Sequence, residues 1–279
     1  MKRLLRSYPE RTDARIAQLG QFMRDHLLED GTFKCRHHAD CLSSRKGYTF
    51  YEGQLSHVGS HYDLEIDGDP MRVVVVGQEY GHNNTRVNLS ARSKMILESA
   101  AGGFRRRNPH MKGTTLTLLE LLGLEFDAGG GSEMLDEKIH IFDAFALVNF
   151  LLCSALETPR PGTGPEFTGG GQGRSSAVMR RNCSEYFIKT LEILEPTVVV
   201  LQGKGTRSWV ASALGLAREG QIVERVAIGR MKDVMLFSLT HPSAHEPFGY
   251  RSTKSPYFTS VARPALQAAR QEFVWPPEQ

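Results

Sequence analysis

The chain reads as an α/β protein, a three-layer α/β/α sandwich around a central, mostly parallel four-stranded sheet, and three observations predict this. Four short apolar runs recur along it, Arg72 to Val76, Ile139 to Asn149, Thr197 to Leu201 and Val234 to Leu239. Segments with helical periodicity separate them, an alternation that favours parallel strands with helices on the sheet faces. The runs are apolar on both faces, as strands covered on both sides must be.

Taken in order, residues 12 to 29 place Ile16, Leu19, Phe22, Met23 and Leu27 at helical spacing, and Asp30-Gly31 ends that helix. It leads into a cysteine-bearing loop, so residues 1–66 are expected to form a helical extension packed on a single domain that spans residues 1–279. Further helices are expected at Ser90 to Ala101, Thr114 to Leu122, Ala177 to Leu194, Thr206 to Leu216 and Tyr257 to Phe273. The glycine-rich stretch Pro159 to Gly173 has no apolar period and reads as a loop. With 279 residues, 40% of them hydrophobic, the chain can bury one large core.

The 34 Lys and Arg against 31 Asp and Glu leave a net charge of +3, which permits nucleic-acid binding without requiring it. The segment Met1 to Gly20 is basic and lacks the apolar core of a signal peptide. No stretch approaches the roughly 18 continuous apolar residues of a membrane span. A soluble, cytoplasmic monomer without membrane contact is therefore expected. In a reducing compartment its four cysteines, Cys35, Cys41, Cys153 and Cys183, serve as metal ligands or as buried thiols. The polar setting of Lys34 to Cys41 favours ligation, because core cysteines seldom lie in such a segment. Four thiolates suit a [4Fe-4S] cluster or, as the alternative, zinc, for which His37 or His38 are further candidate ligands.

In an open parallel sheet, ligands sit beyond the carboxyl ends of the strands. The residues there are Gly77-Gln78-Glu79-Tyr80-Gly81-His82, Asn149-Phe150, Gln202-Gly203-Lys204-Gly205 and His241-Pro242-Ser243. The first resembles the opening motif of uracil-DNA glycosylases, which in the best-known class reads Gly-Gln-Asp-Pro-Tyr-His. The last resembles that superfamily's His-Pro-Ser motif, and Leu147-Val148-Asn149 is similar to the segment whose asparagine reads uracil. The order of Cys153, Pro159-Arg160-Pro161 and Cys183 is similar to that of the iron-sulfur class, in which an N-terminal cysteine pair and two later cysteines hold a [4Fe-4S] cluster. Here the first pair is spaced Cys35-x5-Cys41, Glu79 stands where that class commonly has a small residue, and Gly81 stands where the best-known class has the tyrosine that bars thymine.

Breaking an N-glycosidic bond leaves cationic character on the sugar and negative charge on the departing base. Glu79 is suited to position water and face the cation, and a neutral His241 to donate a hydrogen bond to the base. Asn149 offers a carboxamide for the edge of a flipped-out uracil. Gln78, Tyr80, Gly81, Phe150 and Ser243 complete the candidate substrate pocket, with Tyr80, Phe104 or Phe150 as stacking partners. Arg160, Arg174 and Lys204 are candidate phosphate contacts, and Phe248, Tyr250 and Arg251 belong to a candidate minor-groove wedge loop. The expected partner is DNA containing a damaged base, with uracil first among the candidates. The alternatives are a glycosylase for a deaminated purine, a nucleic-acid-binding iron-sulfur protein of the same fold without glycosylase activity, and a nucleoside hydrolase.

Overall fold

The four apolar runs pair with one another at the centre of a six-stranded sheet. The computed structural model describes residues 4–29, 32–79, 89–126, 133–157 and 173–273. Before the sheet come β1 (Leu5–Ser7), α1 (Pro9–His26), the hairpin β2 (Leu28–Glu29) and β3 (Thr32–Phe33), α2 (His38–Ser43) and β4 (Thr49–Glu52). Then follow β5 (His57–Val58), β6 (Leu64–Ile66), β7 (Asp69–Pro70) and β8 (Val73–Gly77). Helices α3 (Leu89–Ala101), α4 (Gly103–Arg106) and α5 (Pro109–Leu122) lead to β9 (Phe145–Asn149) and β10 (Cys153–Leu156). The chain continues through α6 (Ala177–Leu194), β11 (Val198–Gln202), α7 (Lys204–Leu214), β12 (Val223–Ile228), β13 (Met231–Leu239) and α8 (Arg263–Phe273).

The sheet order is β12-β13-β11-β8-β9-β5. The four inner strands are parallel, as expected, and the edge strands β12 and β5 are antiparallel additions. Side chains alternate across the sheet. Val74, Val76, Val148, Val199 and Leu201 enter one buried cluster together with Leu19 and Met23 of α1 and with Tyr186, Phe187 and Leu191 of α6. Val73, Val75, Leu147, Val198 and Val200 enter a second cluster with Leu116 and Leu119 of α5 and Leu266 of α8. Each wholly buried valine of β8 contributes about 1.5–3 kcal/mol of hydrophobic stabilisation.

The N-terminal segment is tied down by Arg15. Its Nε lies 3.0 Å from Asp63 Oδ2, and one of its terminal nitrogens donates to the Ile193 carbonyl at 2.9 Å. Strands β4 and β10 form a separate antiparallel ribbon that pairs Glu52 with Cys153 and Tyr51 with Ser154.

Several element boundaries differ from expectation. Only Phe145–Asn149 of the second apolar run is strand; Ile141–Asp143 is a 3-10 turn, capped by His140 accepting from the Phe142 amide. Helix α5 begins at Pro109 rather than Thr114, because Asn108 caps it and proline suits its first turn. The C-terminal helix opens with a π-helical turn, Phe258–Ala262. Most of the glycine-rich loop, residues 158–172, lies outside the described residues. Among the described residues, no helix is long and apolar enough to cross a membrane.

Candidate active site and cysteine cluster

Gly77, the last residue of β8, lies in register with Asn149, the last residue of β9. The two chain exits stay joined, since the Phe150 amide donates to the Gly77 carbonyl and the Leu151 amide to that of Gln78, both at 2.9 Å. A side chain on Gly77 would lie 3.2 Å from Asn149 Oδ1 and 3.3 Å from His110 Nε2. Even a methyl group would be tight against both, so glycine is what lets the carboxamide and the imidazole pack this close to the end of β8. Asn149 itself is buried.

His110 sits in the first turn of α5, and its ring centre is 6.1 Å from that of His241. Sequence reasoning missed it. The available signal was Asn108-Pro109, a capping residue followed by a first-turn proline, which starts the helix early enough to bring His110 to the sheet edge.

His241 leaves β13 after Thr240. The Ser243 amide donates to His241 Nδ1 at 3.2 Å, and the Ser243 hydroxyl is 2.7 Å from the same nitrogen. An amide can only donate, so Nδ1 is the acceptor and the ring proton resides on Nε2. Burial lowers the imidazole's pKa below its ordinary value, which keeps it neutral at neutral pH. Gly203 caps α7 with φ 120°, a conformation that side-chain-bearing residues rarely adopt, and a Cβ there would stand 3.6 Å from His241 Cβ, so the turn lies directly against the imidazole. Gln78 reaches the other way round the same turn, its amide filling the space a side chain on Gly205 would need. Ser243 and Lys204 are exposed at this edge.

Glu79 turns toward the β4/β10 ribbon and packs on Ser154 and Gly173. No described contact joins it to His241. Burial pushes its carboxyl up to about 7, opposed by a hydrogen bond from Ser154. Its Oε2 is buried without a hydrogen-bond partner among the described residues. Holding a carboxylate there above neutral pH costs about 3 kcal/mol relative to the unfolded chain. Because the folded pKa is raised, the native state binds the proton more tightly, and stability falls as pH rises from about 4.5 to about 7. Glu79→Gln is therefore expected to be more stable than the parent at pH 8, by about 1–3 kcal/mol, with the gain vanishing near pH 4.5. Thermal unfolding across pH checks this, and a difference that does not vary with pH would show that Glu79 is not desolvated.

The four cysteines come from separate elements: Cys35 precedes α2, Cys41 lies in α2, Cys153 opens β10 and Cys183 lies in α6. They nonetheless sit near one another. Burial, then the neighbouring thiols of Cys183, Cys41 and Cys35, push the Cys153 thiol well up, and burial foremost takes Cys183 up to about 12. Donors already face the sulfurs: the His37 amide at 3.4 Å from Cys35 Sγ, the Leu152 amide at 3.5 Å from Cys183 Sγ and Asn182 Nδ2 at 3.6 Å from Cys41 Sγ. Among the described residues, no three or more His, Cys, Asp or Glu side chains are drawn together as tightly as around an ion. The donor set still fits a thiolate-bound metal, since amide donors stabilise ligating sulfur and a cation is what would keep buried thiols ionised. His37 and His38 are turned to carboxylates instead, 3.1 Å from Glu185 and 2.6 Å from Glu52.

Other predicted residues lie apart from the pocket. Phe150 is buried between Phe187 and Trp209, with ring centres 4.9 and 5.9 Å away, so its face is taken. Phe104 packs edge-on against Phe126. Tyr250, expected on a DNA-contacting loop, is wholly buried beside Tyr257 and belongs to the core. The other two residues expected on that loop are exposed, Phe248 at 57% and Arg251, which follows Tyr250 in the chain. Arg174 is half-exposed and paired with Glu157 at 2.7 Å. Tyr80, Gly81, His82 and Arg160 lie outside the described residues. No protein-family model matches the chain, and no curated protein matches it.

Proposed function

We propose that the protein is a monofunctional DNA glycosylase that flips a damaged base, uracil first among the candidates, out of DNA and removes it by hydrolysis. Its fold is read as a three-layer α/β/α sandwich of the uracil-DNA glycosylase kind. The observation that carries this reading is His241, a neutral imidazole at the carboxyl edge whose Nδ1 accepts from Ser243, leaving Nε2–H as a fixed donor. Such a donor stabilises negative charge as the base departs. The Asn149 carboxamide, at the neighbouring strand exit and close to His110, can pair with the exposed edge of a flipped uracil. Glu79 holds a carboxylate whose pKa lies in the range useful for a general base. Phe248, Lys204 and Arg251 supply an exposed ring and two cations for the wedge loop and the phosphates.

Cys35, Cys41, Cys153 and Cys183 would hold a [4Fe-4S] cluster, which cross-links the N-terminal segment to β10 and α6. The carboxylate partners of His37 and His38 favour this all-cysteine set over zinc ligation through histidine. Comparing uracil in an oligonucleotide with free deoxyuridine tests the substrate class. Excision from DNA is expected to be faster by orders of magnitude; equal rates would instead make the protein a nucleoside hydrolase.

A further inference from the structure

We propose that Ser154 and Gln54 form a relay that positions the Glu79 carboxyl, with Gly173 as the surface it is pressed against, so that the cysteine-bearing ribbon sets the geometry of that carboxylate. The inference rests on the reading of Glu79 as the group that positions water. Ser154 follows Cys153 on β10 and is wholly buried. Its hydroxyl donates to the Glu79 carboxylate and accepts from Gln54 Nε2. A hydroxyl has one proton, so the amide donor on one side commits that proton to the carboxylate on the other.

Gln54 is buried two residues after β4, the strand that pairs with β10, so both relay residues belong to one ribbon. Gly173 bridges to Leu156 at the far end of β10, and any side chain there would overlap Glu79 Oε1. The carboxyl is thus confined by its own strand exit, by Ser154 and by Gly173. Among the described residues, the influences on it are burial and Ser154, and no charged group is one of them. Its Oε2, without a protein partner among those residues, is the oxygen left for a water. The three parts are distant in sequence and meet only through the ribbon.

The test uses the full-length protein with kcat and KM measured on a uracil-containing duplex across pH. Ser154→Ala is expected to lower kcat ten- to a hundredfold, leave KM within about twofold, and move the low-pH midpoint of the rate upward, since a donor to the carboxylate has been removed. In a Glu79→Gln background the same change should cost nothing further. An equal loss in that background, or an unmoved pH profile, overturns the relay. Should Ser154→Ala fail to fold, Gly173→Ala replaces it, with the same fall in kcat expected and an unchanged rate counting against the proposal. If the parent protein excises no base at all, the glycosylase reading fails on its own. The relay is then judged by the NMR titration of the Glu79 carboxyl carbon, which must shift between parent and variant for it to stand.

Discussion

Replacing Cys153 with alanine is expected to leave a protein that loses iron and most of its folded population together. Cys153 is buried at the start of β10, among thiols drawn from the N-terminal loop, α2 and α6. A cluster at that point closes loops of more than a hundred residues, so its binding free energy is also folding free energy. The loss should be on the order of 5 kcal/mol or more, comparable with the whole net stability of a domain. The parent protein should be brown and carry about four irons per chain. Colourless parent protein with a single zinc would sink the cluster, and a Cys153→Ala protein as stable as the parent would reduce the cysteines to ordinary buried thiols.

Replacing His241 with alanine is the second large effect. The residue leaves β13 next to Pro242, which restricts it to an extended backbone, and Ser243 then fixes which ring nitrogen carries the proton. Loss of one preorganised donor to a developing anion costs roughly 3–4 kcal/mol, so turnover should fall about a hundredfold or more while DNA affinity changes little. Ser243→Ala should give a smaller fall, because the Ser243 amide still holds Nδ1. Rates measured under single-turnover conditions separate chemistry from binding. Unchanged turnover in His241→Ala would remove the imidazole from the reaction.

The central strands were legible because Val73 to Val76 and Val198 to Leu201 are short, rich in β-branched residues and apolar on both faces, as strands covered on both sides are. The edge strand β12 was not, since Val223-Glu224-Arg225-Val226 sets two adjacent charged residues between valines and so carries neither a continuous apolar run nor a strict alternation. The strand-exit residues were legible as a group for the same topological reason: Asn149 lies at Gly77, and Gln78 and His241 lie at the Gly203 to Gly205 turn. His110 was hidden by a polar helix start, where periodicity gives no signal and only the cap and the proline mark the boundary. Tyr250 was misread because an aromatic within a Gly- and Pro-rich segment looks exposed until the packing beneath it is known. Ser154 and Gln54 had no sequence signal at all. Each is an ordinary polar residue, and only the pairing of β4 with β10 brings them to Glu79.

Whether the protein releases a base is decided by incubating it, purified, with duplexes that carry uracil, hypoxanthine or xanthine at one position, then cleaving abasic sites with alkali. A single nicked product at the lesion is expected, uracil foremost, and it should be abolished or strongly reduced in His241→Ala. Folded, lesion-binding protein that leaves every duplex intact would contradict it, and would make the chain a nucleic-acid-binding protein whose pocket holds a base without releasing it.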